Sequence, residues 1–214
     1  MLALDQHHRI ALAIRRDNMS GPQTVYHDAD YAPFDRPDRD HPMNDLRPEF
    51  GEARPEFREA SPEFMEQAIA LATENVTSGR GGPFGAVIVK DGKVLATGVN
   101  HVTEWNDPTA HAEVVAIREA CKKLGSFWLE GCDIYTSCEP CPMCLAALYW
   151  SHCRAIYYGN SAADAARIGF DDSFLYDEMR KPLDQRTIPI RNLLADKAWE
   201  SFAAWEASPN KVKY

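Results

Sequence analysis

Apolar residues recur at helical spacing at Phe64, Ala68, Leu71, Ala72 and Val76, with polar residues between them. Just ahead, Ser61-Pro62-Glu63 offers a capping hydroxyl, a first-turn proline and an acid, the order of a helix start. Gly79 closes the run. Two apolar runs come next, Phe84–Val89 and Val94–Val99, parted by Lys90-Asp91-Gly92-Lys93, and Asp-Gly in that place predicts a β-hairpin. Helical spacing returns from about His111 to Leu124, with Val114, Val115, Ile117 and Cys121 as the apolar set. Cys132–Thr136 then reads as a strand, Pro142–Trp150 as a helix and Ala155–Tyr158 as a strand. Beyond Asn160, helices are expected at Asp172–Met179 and Leu193–Trp205. Strands alternating with helices predict an α/β fold whose sheet is covered on both faces.

The pattern fades ahead of residue 60. Six of the 14 prolines (Pro22, Pro33, Pro37, Pro42, Pro48, Pro55) lie there among Asp, Arg and His, as in Asp35-Arg36-Pro37-Asp38-Arg39-Asp40. Such a stretch has little apolar surface to offset its ordering entropy, so residues 1–60 are expected to form a largely disordered extension. Only residues 2–16 have the make-up for a brief helix, and Met19 and Met43 stay open as alternative translation starts. Residues 61–214 are the expected folded domain. Leu2, Leu4, Ile10, Leu12 and Ile14 are interrupted by charges, unlike a secretory leader, and no run approaches the length of a membrane span. A soluble, cytoplasmic protein with no membrane partner is expected. The net charge is −9, and Arg15-Arg16 and Lys122-Lys123 are isolated basic pairs, which weighs against a nucleic-acid partner.

The six cysteines gather between Cys121 and Cys153, with Cys138, Cys141 and Cys144 spaced three apart. With no export signal, that spacing favours metal over disulfides. Two segments carry the chemistry, His111-Ala112-Glu113 and Pro140-Cys141-Pro142-Met143-Cys144, both at expected helix starts. One imidazole and two thiolates supply three ligands for a tetrahedral zinc and leave the fourth position to water. Pro140 suits the start of the second helix, and two converging helix N-termini favour thiolates. Glu113, two residues past His111, points away from the ligand set. Zinc lowers the pKa of a water it binds, and a carboxylate beside that water can carry its proton to a ring nitrogen and then to departing ammonia. This is the H-x-E…P-C-x-x-C arrangement of zinc deaminases of nucleobases. A closed structural site of His111, Cys138, Cys141 and Cys144 is the alternative; Cys121, Cys132 and Cys153 read as small core residues.

These residues resemble the cytidine-deaminase superfamily, and within it the bacterial guanine deaminases. The resemblance is carried by Gly81-Gly82-Pro83-Phe84-Gly85-Ala86, Asn106-Asp107-Pro108-Thr109-Ala110-His111-Ala112-Glu113 and Thr136-Ser137-Cys138-Glu139-Pro140-Cys141-Pro142-Met143-Cys144. Gly169-Phe170-Asp171-Asp172-Ser173-Phe174 and the terminal Tyr214 point to guanine in particular. The resemblance implies a three-layer α/β/α fold with a mixed central sheet, one zinc per chain, and hydrolysis of guanine to xanthine and ammonia. It also implies a homodimer in which about residues 160–214 swap between chains. Asn100 would then hydrogen-bond the purine, Phe84 pack near its ring, Tyr214 enter from the partner, and Asp172 (rather than its rival Asp171) assist proton transfer. Read without the resemblance, Asn100 is a turn residue, Phe84 a core aromatic, Asp172 a helix cap and Tyr214 an unremarkable terminus. The competing functions are a tRNA adenosine deaminase, a deaminase of another aminated base or nucleoside, and a non-catalytic zinc-stabilised module. Glu113, which a purely structural site has no need of, stands against the last.

Overall fold

A computed structural model describes residues 59–212; the expectations for residues 1–58 and for Tyr214 lie outside the described residues. Helix α1 spans Pro62–Thr77, with Pro62 in its first turn and Glu63 beside it. Ser61 occupies the N-cap with extended backbone, but its hydroxyl makes no capping bond, contrary to the expectation from sequence. Its N–H instead donates to the Tyr135 hydroxyl at 3.1 Å, which fastens the helix entry to the sheet.

Strands β1 (Gly85–Lys90) and β2 (Lys93–Val99) form the expected antiparallel hairpin. Asp91 and Gly92 at its tip have φ of 49° and 71°, the doubly left-handed turn that matches strand twist. A single turn of helix, α2 (Val102–Trp105), leads to α3 (Ala112–Leu124). Strand β3 (Cys132–Cys138) pairs antiparallel with β1, and after α4 (Pro142–Trp150) strand β4 (Ala155–Asn160) pairs parallel with β3. The order β2-β1-β3-β4 makes a mixed four-stranded sheet. Both β3 and β4 run two residues past their apolar stretches, because Cys138 and Asn160 still pair in register and the Glu139 N–H donates to the Asn160 carbonyl at 2.8 Å.

Alternation along β1 divides the core. Val87 and Val89 join Tyr135 and Ala68 under α1, whereas Ala86 and Ile88 join Ala96, Cys132, Ile134 and Leu148 under α3 and α4. Helices therefore cover both faces, giving the three-layer α/β/α arrangement. The face of α3 against the sheet is built from Ala112, Ala116 and Ala120, all fully buried, with Val115; Val114, Ile117 and Cys121 are only half-buried. Small side chains are required because the helix backbone nearly touches β2. A Cβ on Gly98 would stand 2.2 Å from the Ala112 carbonyl oxygen and 2.6 Å from the Ala116 nitrogen. Gly85 plays the same part opposite α1, where a Cβ would stand 2.5 Å from the Ala68 carbonyl oxygen.

Past the sheet come α5 (Ala162–Arg167), α6 (Ser173–Arg180), a 3-10 turn at Leu183–Gln185 and α7 (Ala195–Ala207). Neither α2 nor α5 was expected, although Ser161 and Asp164 form a capping box at the start of α5. Among the described residues no helix is long and apolar enough to cross a membrane.

Gly98→Ala is expected to destabilise the fold by about 1–3 kcal/mol through overpacking, read from urea unfolding. An unchanged midpoint would show that α3 has room to spare over β2.

Candidate metal centre and active site

Two helix starts meet at the centre. His111 is the N-cap residue of α3 and Cys141 that of α4, both with extended backbone, and Cys144 lies in the first turn of α4. The first-turn proline of α4 is Pro142; Pro140, expected there from the sequence, precedes the cap. The His111 Nδ1 stands 3.6 Å from the Cys141 Sγ and 3.5 Å from the Cys144 Sγ. All three ligand atoms lie within 4.8 Å of one another. At ordinary tetrahedral zinc distances, ~2.0–2.1 Å to nitrogen and ~2.3 Å to sulfur, a nitrogen and a sulfur donor are about 3.5–3.6 Å apart, so the set fits that metal. It is also the soft and borderline donor chemistry that zinc takes.

Electrostatics agree with the fit. The Cys141 thiol is lowered to about 4, first by the hydrogen bond from Cys144 and then by that from His111, against the opposing effect of burial. Cys144, the donor in that pair and buried, is pushed up, and the hydrogen bond to Cys141 raises His111. A divalent cation held there would replace the shared proton and keep both sulfurs as thiolates. Cys138 faces elsewhere: its thiol donates to the Ser161 carbonyl at 3.7 Å, and burial raises it to about 11. Among the described residues the donor cluster is His111, Cys141 and Cys144, so the four-ligand alternative finds no support in the geometry.

Glu113 is buried beside the cluster without joining it. Its Oε2 accepts from the Cys144 thiol at 3.4 Å and its Oε1 from the Thr136 hydroxyl at 3.4 Å. Burial is the main cause of a carboxyl pushed up from its usual range. Sequence alone gives Thr136 no role, although it opens the Thr136-to-Cys144 block. Its signal was a hydroxyl in a strand that is buried throughout.

Phe84 and Asn100 flank the hairpin and are joined by the Asn100 N–H donating to the Phe84 carbonyl at 3.1 Å. The next residue, His101, donates its N–H to the Ala110 carbonyl at 2.9 Å, which brings the Asn100 segment beside the residue before His111. The Asn100 Oδ1 accepts from the Val102 N–H at 3.3 Å. Phe84 meets Phe170 edge to face, with ring centroids 5.0 Å apart, so the segment after the sheet returns to this end of it.

The two aspartates differ. Asp171 is exposed, and its Oδ1 accepts from the Ser173 N–H at 2.9 Å, the helix-start role that the sequence pattern suggests for Asp172. Asp172 makes no capping bond; burial, then the charge of Cys141, raises its carboxyl. Glu139, also without a role from sequence alone, accepts from the Ala162 N–H at 3.0 Å and ties the cysteine loop to α5. Tyr214 lies outside the described residues.

Residues 58–160 match the family model for the cytidine and deoxycytidylate deaminase zinc-binding region. The chain is 54% identical over 149 residues to guanine deaminase of Bacillus subtilis (strain 168), a match covering 70% of this chain and 96% of that protein. It is 40% identical over 126 residues to the tRNA-specific adenosine deaminase of Aquifex aeolicus (strain VF5), covering 59% of this chain and 75% of that one. The X-ray structure of guanine deaminase from Bacillus subtilis superposes with a TM-score of 0.71 at 52% identity, over 73% of this chain and 99% of that one.

Cys144→Ser is expected to lower bound zinc well below one per chain, whereas Cys138→Ser keeps it near one, by elemental analysis after exhaustive dialysis. Zinc lost from the Cys138 variant as well would restore the four-ligand site.

Proposed function

The chain belongs to the zinc-dependent deaminases of the cytidine-deaminase superfamily, and on that footing we propose that it hydrolyses guanine to xanthine and ammonia. One observation carries the chemistry: a buried carboxyl, Glu113, stands against a three-donor zinc set without being part of it. The choice of base rests on the Bacillus subtilis guanine deaminase, matched over nearly its whole length. The match to a tRNA-specific adenosine deaminase is shorter and lower in identity, and a net charge of −9 is poorly suited to gripping phosphates.

His111, Cys141 and Cys144 would hold the zinc, which would supply a water made acidic enough to ionise near neutrality. Glu113 takes a proton from the attacking water and passes it to the ring nitrogen beside C2, as hydroxide adds to that carbon. It then takes the proton of the new hydroxyl on C2 and gives it to the 2-amino group, which leaves as ammonia as the C–N bond breaks and the C2 carbonyl forms. Burial favours its neutral form, which suits a group that must hold each proton between taking it up and giving it away. Phe84 offers a ring face and Asn100 an amide to the purine. The Asn100 Oδ1 is engaged by Val102, so its Nδ2 is the group available for a base acceptor. Asp172 is preferred to Asp171 for the proton-transfer role because burial and then the charge of Cys141 raise its carboxyl, while the Asp171 Oδ1 is engaged by the Ser173 N–H.

The working form is a cytoplasmic homodimer acting in purine metabolism. The α7 helix turns Trp199 and Phe202 to solvent, 60% and 62% exposed, with Leu193 and Leu194 ahead of it also exposed. Such a surface suits a segment that packs on a second copy of the chain and carries Tyr214 to its site.

Glu113→Gln is expected to keep its zinc and to lose about 10²- to 10⁴-fold of its xanthine and ammonia production from guanine. Full turnover in that variant would remove the proton-carrying role. Of the two aspartate variants, Asp172→Asn should cut turnover about tenfold or more and Asp171→Asn should leave it within about twofold. The reverse order would transfer the role to Asp171.

A further inference from the structure

Asn75 is a fully buried amide in the last turn of α1, outside the metal centre. Its Nδ2 donates twice, to the Gly82 carbonyl at 2.9 Å and to the Asn100 carbonyl at 2.9 Å. The same Gly82 carbonyl accepts from the Phe84 N–H at 2.9 Å, and the Phe84 carbonyl accepts from the Asn100 N–H at 3.1 Å. The four bonds close a ring that runs from Asn75 through Gly82, Phe84 and Asn100 and back to Asn75. The main-chain carbonyl of Asn75 adds the Arg80 and Gly81 N–H groups at 3.1 and 3.4 Å. The junction is tight, for a Cβ on Gly81 would stand 2.1 Å from the Asn100 carbonyl oxygen and 2.9 Å from the Asn75 Nδ2.

The Asn75 Oδ1 has no hydrogen-bond partner among the described residues although it is buried. Burying an acceptor without a partner is unfavourable, and an apolar residue of similar volume would avoid it. What an amide offers that Leu does not is two N–H donors in a fixed fork, and both are used on the two segments that carry Phe84 and Asn100.

We infer that Asn75 is a positioning residue for purine binding, holding Phe84 and Asn100 at one fixed spacing. The inference rests on the reading of those two residues as base contacts. Glu113 and the metal donors sit on α3 and α4, outside the ring, so loss of Asn75 acts on substrate binding and spares proton transfer.

The test uses the full, zinc-loaded chain. Asn75→Leu should raise KM for guanine about tenfold while kcat stays within about threefold, and Asn75→His, which keeps one ring N–H, should recover part of the loss. A residue that only stabilises the fold would lower the active fraction, and so kcat, at unchanged KM. That result, or no change in KM, overturns the inference. Should Asn75→Leu fail to fold, Gly81→Ala crowds the same junction from the loop side and should show the same rise in KM; an unchanged KM there overturns the inference equally. Amide hydrogen exchange gives a readout that needs no substrate: the Phe84 and Asn100 N–H groups should exchange about tenfold faster in Asn75→Leu with zinc retained. Unchanged exchange rules out the staple. Silence of the unsubstituted protein on guanine defeats the proposed function instead, and exchange then decides the case of Asn75 alone.

Discussion

The backbone of α3 rests on β2 with nothing but a glycine hydrogen between them, and the site is hung from that contact. Helix and strand can approach so closely only because Gly98 meets Ala112 and Ala116. His111 and Glu113 flank Ala112 in sequence. Pressing Ala112 against the sheet therefore fixes where the imidazole and the carboxyl enter the structure. The cysteines come from the far end of β3 through the first turn of α4, so the donor set is assembled from two helix starts on one face of the sheet. Rigid backbone placement of this kind lets a metal site reach its geometry with few adjustable side-chain torsions.

Within a few ångströms the site tunes two acids in opposite directions. Cys141, which must be a thiolate to bind metal, is lowered by hydrogen bonds that its anion accepts. Glu113 is raised by burial, with the Thr136 hydroxyl and the Cys144 thiol as its neighbours. Separation of acid strengths by environment is a general mark of catalytic sites. A structural zinc site needs the first adjustment and has no use for the second.

Much of this was legible in the sequence because the signals were local. The Asp91-Gly92 turn, the spacing of Cys141 and Cys144, and the helix starts at His111 and Cys141 each depend on a few adjacent residues. The features that escaped depend on contacts across the fold. Ala112, Ala116 and Ala120 form the buried face of α3, yet the larger Val114, Ile117 and Cys121 dominate the apolar pattern, because nothing local reveals that Gly98 lies beneath. Thr136 and Asn75 look like ordinary polar residues until their partners, Glu113 and Asn100, are seen 23 and 25 positions away. Which of Asp171 and Asp172 meets the Ser173 N–H is a choice that two identical neighbours cannot announce.

The stretch matched by the family model stops at residue 160, and β4 stops at Asn160. Sheet, metal donors and Glu113 are thus complete before α5 begins, while Phe170, against Phe84, and Asp172 belong to the chain beyond it. The donors for the metal are therefore all written in the first of two consecutive portions of the gene. Redrafting the later portion would reshape what packs on Phe84 and leave every donor to the metal in place.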